Sequence, residues 1–167
     1  ALLRAGGVDR LSLGVQSFND RALKLLGRIH SAQEAEESFR LARRAGFDNI
    51  NLDLIQSIPG MKPDDVLADV RRAAALEPEH LACYNLVYEP TTPMARDHAA
   101  GRIAPPGDDE EADNYYAVKA LLERADYAHY EISNFARCGK ECRHNILYWQ
   151  GGEYCGCGPS AHSHWRG

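Results

Sequence analysis

Arg10-Leu-Ser-Leu-Gly-Val-Gln-Ser-Phe18, together with Asn49-Ile-Asn-Leu-Asp-Leu-Ile55, decides the fold. In the first stretch Leu11, Leu13 and Val15 alternate with Ser12, Gly14 and Gln16; in the second Ile50, Leu52 and Leu54 alternate with Asn51 and Asp53. Period-two alternation is the signature of a β-strand. The apolar face packs on helices, and the polar face lines something else. An unpaired buried polar group costs about 1 to 3 kcal/mol. A row of such groups therefore needs a ligand, water or one another, which makes a lumenal binding site the first expectation.

Working outward, Asn19-Asp20 caps a short helix from Arg21 to Leu26. Ser31-Ala-Gln-Glu34 has the form of a capping box opening a helix with Ala35, Phe39, Ala42 and Ala45 at helical spacing, ended by Gly46. Pro59-Gly60 closes the second strand, and Pro63-Asp-Asp65 starts a helix ending near Leu76. A third strand is read over His80–Tyr88. Strand, helix, strand, helix, strand at this spacing predicts an α/β fold with a parallel sheet, closed or open. Residues 91–107 are turn-rich, with Pro93, Gly101 and Pro105-Pro106. Asp108-Asp-Glu-Glu111 opens a helix to about Ala125, where acidic residues suit the N-terminal dipole. One strand around Tyr127–Ser133 and a loop-rich tail dense in Gly, Cys, His and aromatics complete the reading.

The 167 residues carry a net charge of -5, which argues against a nucleic-acid partner and leaves membrane contact at most peripheral. Five cysteines, an odd count in a chain not dense in them, favour a reducing, cytoplasmic setting. The chain starts at Ala1-Leu-Leu-Arg-Ala-Gly-Gly7 in mid-helix without an initiator Met, and stops at Trp165-Arg-Gly167 after a Gly-rich run. It reads as a piece of a longer protein.

Gly14-Val-Gln-Ser-Phe18, Arg28-Ile-His30, Asn51-Leu-Asp-Leu-Ile55 with Pro59-Gly60, Glu89-Pro90 with Thr92-Pro93, and Tyr130-Glu-Ile-Ser-Asn-Phe-Ala136 stand in fixed order. Together they resemble the radical S-adenosylmethionine proteins related to oxygen-independent coproporphyrinogen III oxidase, on the HemW-type heme-chaperone branch. The resemblance implies that residues 1–107 are the C-terminal half of a partial (β/α)6 barrel and that 108–167 hold the last barrel-associated helix and strand plus the start of a smaller α+β C-terminal region. It implies S-adenosylmethionine at Gln16, Arg28 and Asp53, with Val87 and Ile132 lining the adenine pocket. Ribose hydroxyls suit a carboxylate or amide, and a methionyl carboxylate suits a guanidinium. Asp53 paired with Arg28 as a plain buried ion pair is the alternative, and Val87 and Ile132 read equally as core.

His144-Asn145-Ile-Leu-Tyr148-Trp149 resembles the H-N-x-x-Y-W stretch of the heme-chaperone branch. The resemblance implies heme at His144, Asn145, Tyr148 and Trp149, with His144 as axial ligand to the iron. A hydrogen-bonded loop histidine beside ordinary aromatics is the plainer reading. Gly156-Cys-Gly-Pro-Ser-Ala-His-Ser163 resembles another family segment; its His162 reads as a heme contact or as a turn-stabilising side chain. Cys138-x3-Cys142 does not complete a C-x3-C-x2-C cluster signature, because residue 145 is Asn. The resemblance implies that the 4Fe-4S ligands lie upstream of Ala1. A zinc site of Cys138, Cys142, Cys155 and Cys157 is a further alternative, set against unpaired thiols or thiols that tune iron ligation.

Two functions follow from the resemblance. One is a chaperone that binds heme and delivers it to a client protein. The other is the oxidase, which decarboxylates two propionates of coproporphyrinogen III with a 5'-deoxyadenosyl radical. A third reading is an unrelated (β/α) barrel binding another small molecule.

Overall fold

Leu52, Leu54 and Leu81, almost wholly buried, lie at the centre of an apolar layer that three amphipathic helices cover. The computed structural model describes residues 2–166. After a short helix α1 (Leu2–Ala5), the elements run β1 (Leu11–Gln16), α2 (Asp20–Leu25), α3 (Ala32–Arg44), β2 (Ile50–Ile55), α4 (Pro63–Ala75), β3 (His80–Tyr84), α5 (Pro93–Ala99), α6 (Asp108–Arg124), β4 (Ala128–Glu131), β5 (Asn134–Ala136) and α7 (Arg143–Trp149). The sheet order is β1-β2-β3-β5-β4. β1, β2 and β3 are parallel neighbours, and β5 pairs antiparallel with both β3 and β4.

The local signals work as chemistry predicts. Asn19 accepts from the Arg21 and Ala22 amides at 3.0 and 3.3 Å, starting α2. The Ser31 hydroxyl accepts from the Glu34 amide at 3.2 Å while the Glu34 carboxylate accepts from the Ser31 amide at 2.7 Å, so α3 opens on a complete capping box. α4 opens on Pro63, with Asp65 accepting from the Lys62 amide at 3.0 Å.

Three expectations are corrected. The third strand ends at Tyr84, not Tyr88, because Asn85–Tyr88 leave the ladder. The single strand over Tyr127–Ser133 is a tight hairpin, β4 and β5, that turns at Ile132-Ser133. The turn-rich and loop-rich segments each hold a short helix, α5 behind a Thr92 cap and α7 behind Cys142.

One corner ties distant parts of the chain together. Between α4 and β3, Glu79 receives the Arg43 guanidinium through two contacts of 2.8 Å and the Ile50 amide at 2.9 Å. Arg43 also donates to the Glu77 carbonyl at 2.7 Å. The Tyr127 hydroxyl donates to the Pro78 carbonyl at 2.7 Å, and the Arg137 amide donates to the Glu79 carbonyl at 2.9 Å. Arg137 then lies over the Tyr127 ring, 4.2 Å from its centroid.

Candidate functional site

The polar sides of β1, β2 and β3 meet on the sheet face away from the helices, as the alternation predicts. Ser12 pairs in register with Asn51, and Asn51 with His80, so three polar side chains form one row. Asn51 Nδ2 donates to Ser12 Oγ at 2.6 Å and to Asp53 Oδ1 at 2.7 Å. Ser12 Oγ donates to Asp53 Oδ2 at 3.2 Å. Burial pushes the Asp53 carboxyl above its ordinary range, and the Asn51 and Ser12 hydrogen bonds oppose that rise. Two donors leave each carboxylate oxygen with acceptor capacity for a ligand hydroxyl.

Asn51 Oδ1 contacts His80 Nδ1 at 2.6 Å, and His80 Nε2 contacts Tyr130 Oη at 2.7 Å. His80 is 1% exposed, and desolvation lowers its pKa to about 3, so the ring is neutral. The Tyr130 hydroxyl also accepts from the Cys142 amide at 3.1 Å. Cys142 caps α7, so the polar row connects with the helix that carries the H-N-x-x-Y-W stretch.

Gln16 closes the C-terminal end of β1. The register slips between Leu13 and Gln16, and Gln16 takes a φ of 69°, in the left-handed region. Its Oε1 accepts from the Tyr84 hydroxyl at 2.8 Å. Its Nε2 occupies the space over Gly14, where an added Cβ would sit 2.8 Å away. Arg28 lies in the exposed loop between α2 and α3. It lines a cleft of about 440 Å³ with Leu25, Ile55, Val87, Glu89 and Met94. Among the described residues Arg28 makes no ion pair with Asp53, so the ion-pair alternative is corrected: Arg28 lines this cleft instead. Val87 is 71% exposed on the segment after β3, in the Arg28 cleft; Ile132 is 69% exposed at the β4–β5 turn, in a separate groove with Asn85 and Tyr116. Neither sits in a strand.

The aromatic helix lies at the other end of the strands. Asp9, Arg10 and Asn49, which precede β1 and β2, line a cavity of about 530 Å³ with Cys142, Arg143 and His144. α7 presents two faces, each set by a four-residue spacing. His144 and Tyr148 meet the Tyr154 ring at 4.9 and 6.0 Å, and His164 approaches Tyr154 at 6.2 Å. Asn145 shares the adjoining face with Trp149, whose ring is 6.2 Å from that of Tyr130. His144, Tyr148 and Trp149 are all exposed, so they are not core aromatics. Tyr154 and His164 are the additions that sequence reading missed; they are joined by an isolated antiparallel bridge with amide–carbonyl distances of 2.9 and 3.0 Å. The loop they bracket holds Cys155, Cys157 and His162 in the exposed tip. Cys138 is exposed and Cys142 buried, and among the described residues no group of three or more His, Cys, Asp or Glu side chains is placed to hold a metal. The zinc alternative is corrected accordingly: one buried and three exposed thiols do not converge.

Known proteins share this fold and much of this sequence. Residues 1–73 match the family model of the Radical SAM superfamily. Across its length the chain is HemW-like. It is 43% identical over 164 residues to the heme chaperone HemW of Mycobacterium tuberculosis, covering 98% of this chain and 42% of that protein. It is 39% identical over 163 residues to HemW of Bacillus subtilis, covering 98% and 43%. The structure is similar to coproporphyrinogen III oxidase, HemN, of Escherichia coli, a radical SAM enzyme, with a TM-score of 0.74, 27% identity, and 97% of this chain matched to 40% of that one. The chain thus spans about two fifths of the length of these relatives. No helix among the described residues is long and apolar enough to cross a membrane.

Proposed function

We propose that this chain is the part of a radical SAM heme chaperone that faces both ligands, holding S-adenosylmethionine at the C-terminal ends of its strands and heme on α7. The observation that carries this reading is the exposed His144–Tyr148 face, backed by Tyr154 and His164 at the strand end opposite Gln16 and Arg28. A porphyrin gripped there stands away from the cofactor residues. That separation suits binding and transfer to a client protein better than decarboxylation, which needs substrate against the cofactor.

The donor set fits the cofactor. The Asp53 carboxylate suits the ribose hydroxyls, the fixed Gln16 amide offers Nε2 for a further contact, and Arg28 suits the methionyl carboxylate. Bound S-adenosylmethionine supplies a sulfonium whose chemistry an iron–sulfur cluster controls; the cysteines of this chain do not assemble such a site among the described residues. The α7 face suits a porphyrin by its chemistry: Tyr148 and Tyr154, tilted 58° to each other, offer aromatic contact, and the His144 imidazole is a suitable axial ligand for iron.

Titration of the full-length protein with heme, followed by absorbance, is the test. Saturable binding with a Soret shift is expected, weakened at least tenfold by His144→Ala and less by Tyr148→Ala. Absence of saturable binding, with conversion of coproporphyrinogen III instead, overturns the reading in favour of the oxidase. A second expectation concerns Gly14→Ala. The new methyl group displaces the Gln16 amide and lowers S-adenosylmethionine affinity by about 2- to 10-fold, the worth of one neutral hydrogen bond. Calorimetric titration checks it, and an unchanged affinity removes Gln16 from the site.

A further inference from the structure

The two ligand-facing regions leave His80 and Tyr130 without a role, yet both are hydrogen-bonded with a single sense of direction. The Asp53 carboxylate and the Ser12 hydroxyl take both hydrogens of Asn51 Nδ2, so Asn51 presents its oxygen to His80. His80 then carries its one proton on Nδ1, because the carbonyl oxygen of Asn51 accepts. Nε2 is left as an acceptor, so the Tyr130 hydroxyl donates to it and its oxygen receives the Cys142 N–H. Each group has one arrangement that satisfies its neighbours, and reversing any of them leaves a buried polar atom unpaired. The His80 and Tyr130 rings also meet edge to face at 5.6 Å.

We propose that His80 and Tyr130 are positioning residues that join the Asp53 carboxylate to the start of α7, so that S-adenosylmethionine and heme bind cooperatively. This rests on the chaperone reading. A ligand hydroxyl on Asp53 fixes the carboxylate, which fixes Asn51, His80 and Tyr130 in turn and holds the Cys142 amide. α7 is short, at seven residues, and draws its order from such anchors rather than from its own ladder. Ligand binding at one end therefore orders the aromatic helix at the other, and the effect is reciprocal.

The test measures S-adenosylmethionine affinity of the full-length protein with and without saturating heme. Heme is expected to raise it at least fivefold, and S-adenosylmethionine to raise heme affinity by the same factor. Tyr130→Phe keeps the ring and removes only the hydroxyl, and it is expected to bring the factor close to one. His80→Gln, which retains a donor and an acceptor, recovers part of it; His80→Leu does not. Without heme, S-adenosylmethionine slows amide hydrogen exchange over residues 142–149 in the parent and leaves it unchanged in Tyr130→Phe. Heme binding with a factor of one in the parent, or a factor kept by Tyr130→Phe, overturns the proposal alone. Failure to bind heme at all overturns the chaperone reading, and exchange that ignores S-adenosylmethionine overturns the link through Tyr130 independently.

Discussion

Acidification from pH 6.5 to 4.5 removes about 2 to 3 kcal/mol of folding stability through His80 alone. The ring is buried and neutral, with a folded pKa of about 3 against an ordinary value near 6.5. Below the ordinary value the unfolded chain takes a proton that the folded chain refuses. The contribution is therefore whole above pH 6.5 and drains away as pH falls towards 3. Asp53 and Asp69 act in the opposite sense: burial raises both, so each favours the folded state as it protonates on the way down. Those two are common to the parent and to His80→Gln, so comparing the pair isolates the histidine. Urea unfolding of the full-length protein at several pH values is expected to show the parent losing its advantage over His80→Gln, then falling below it in acid. Parallel curves would mean that His80 titrates in the folded state as it does in the unfolded one.

Asp53→Asn is expected to lower S-adenosylmethionine affinity by about 10- to 100-fold, because hydrogen bonds to a charged group are worth about 1.5 to 3 kcal/mol. The damage extends past the lost charge. The introduced amide brings hydrogens towards Asn51 Nδ2, already a donor to Asp53 and Ser12 in the parent. Relief by turning either the introduced amide or that of Asn51 costs the remaining acceptor for ligand or the bond to His80. Calorimetry with S-adenosylmethionine gives the affinity, and the circular dichroism spectrum shows whether the fold persists. Affinity within twofold of the parent would place the cofactor elsewhere.

The layer order was legible where a face repeats. Leu52 against Asn51 and Asp53 announced both sides of β2, and the Ser31–Glu34 and Pro63–Asp65 pairs marked two helix starts because capping is local chemistry. What escaped depended on partners distant in sequence. His80 had no reason to stand out before β3 met Tyr130, fifty positions later. Val87 looked like strand, but Asn85 turns towards Glu111 and the Leu86 amide towards Ser57, which ends the ladder at Tyr84. The hairpin hid because Ile132 continues the apolar rhythm through the turn; Glu131 reaching the Ser133 amide and the Asn134 side chain makes the reversal. Tyr154 and His164 were inconspicuous among glycines, and only their mutual bridge sets them beside His144.

The corner between α4 and β3 sets an order of events during synthesis. Arg43 and Ile50 reach Glu79 from chain already made, but the Pro78 and Glu79 carbonyls wait for Tyr127 and Arg137. β5, the strand that covers the edge of β3, emerges in the same interval. Until then a nascent chain carries both an open sheet edge and a half-fastened corner, a state in which edges seek other partners. The β4–β5 hairpin thus works as a late fastener: a chain halted between residues 108 and 127 keeps the β3 edge uncovered.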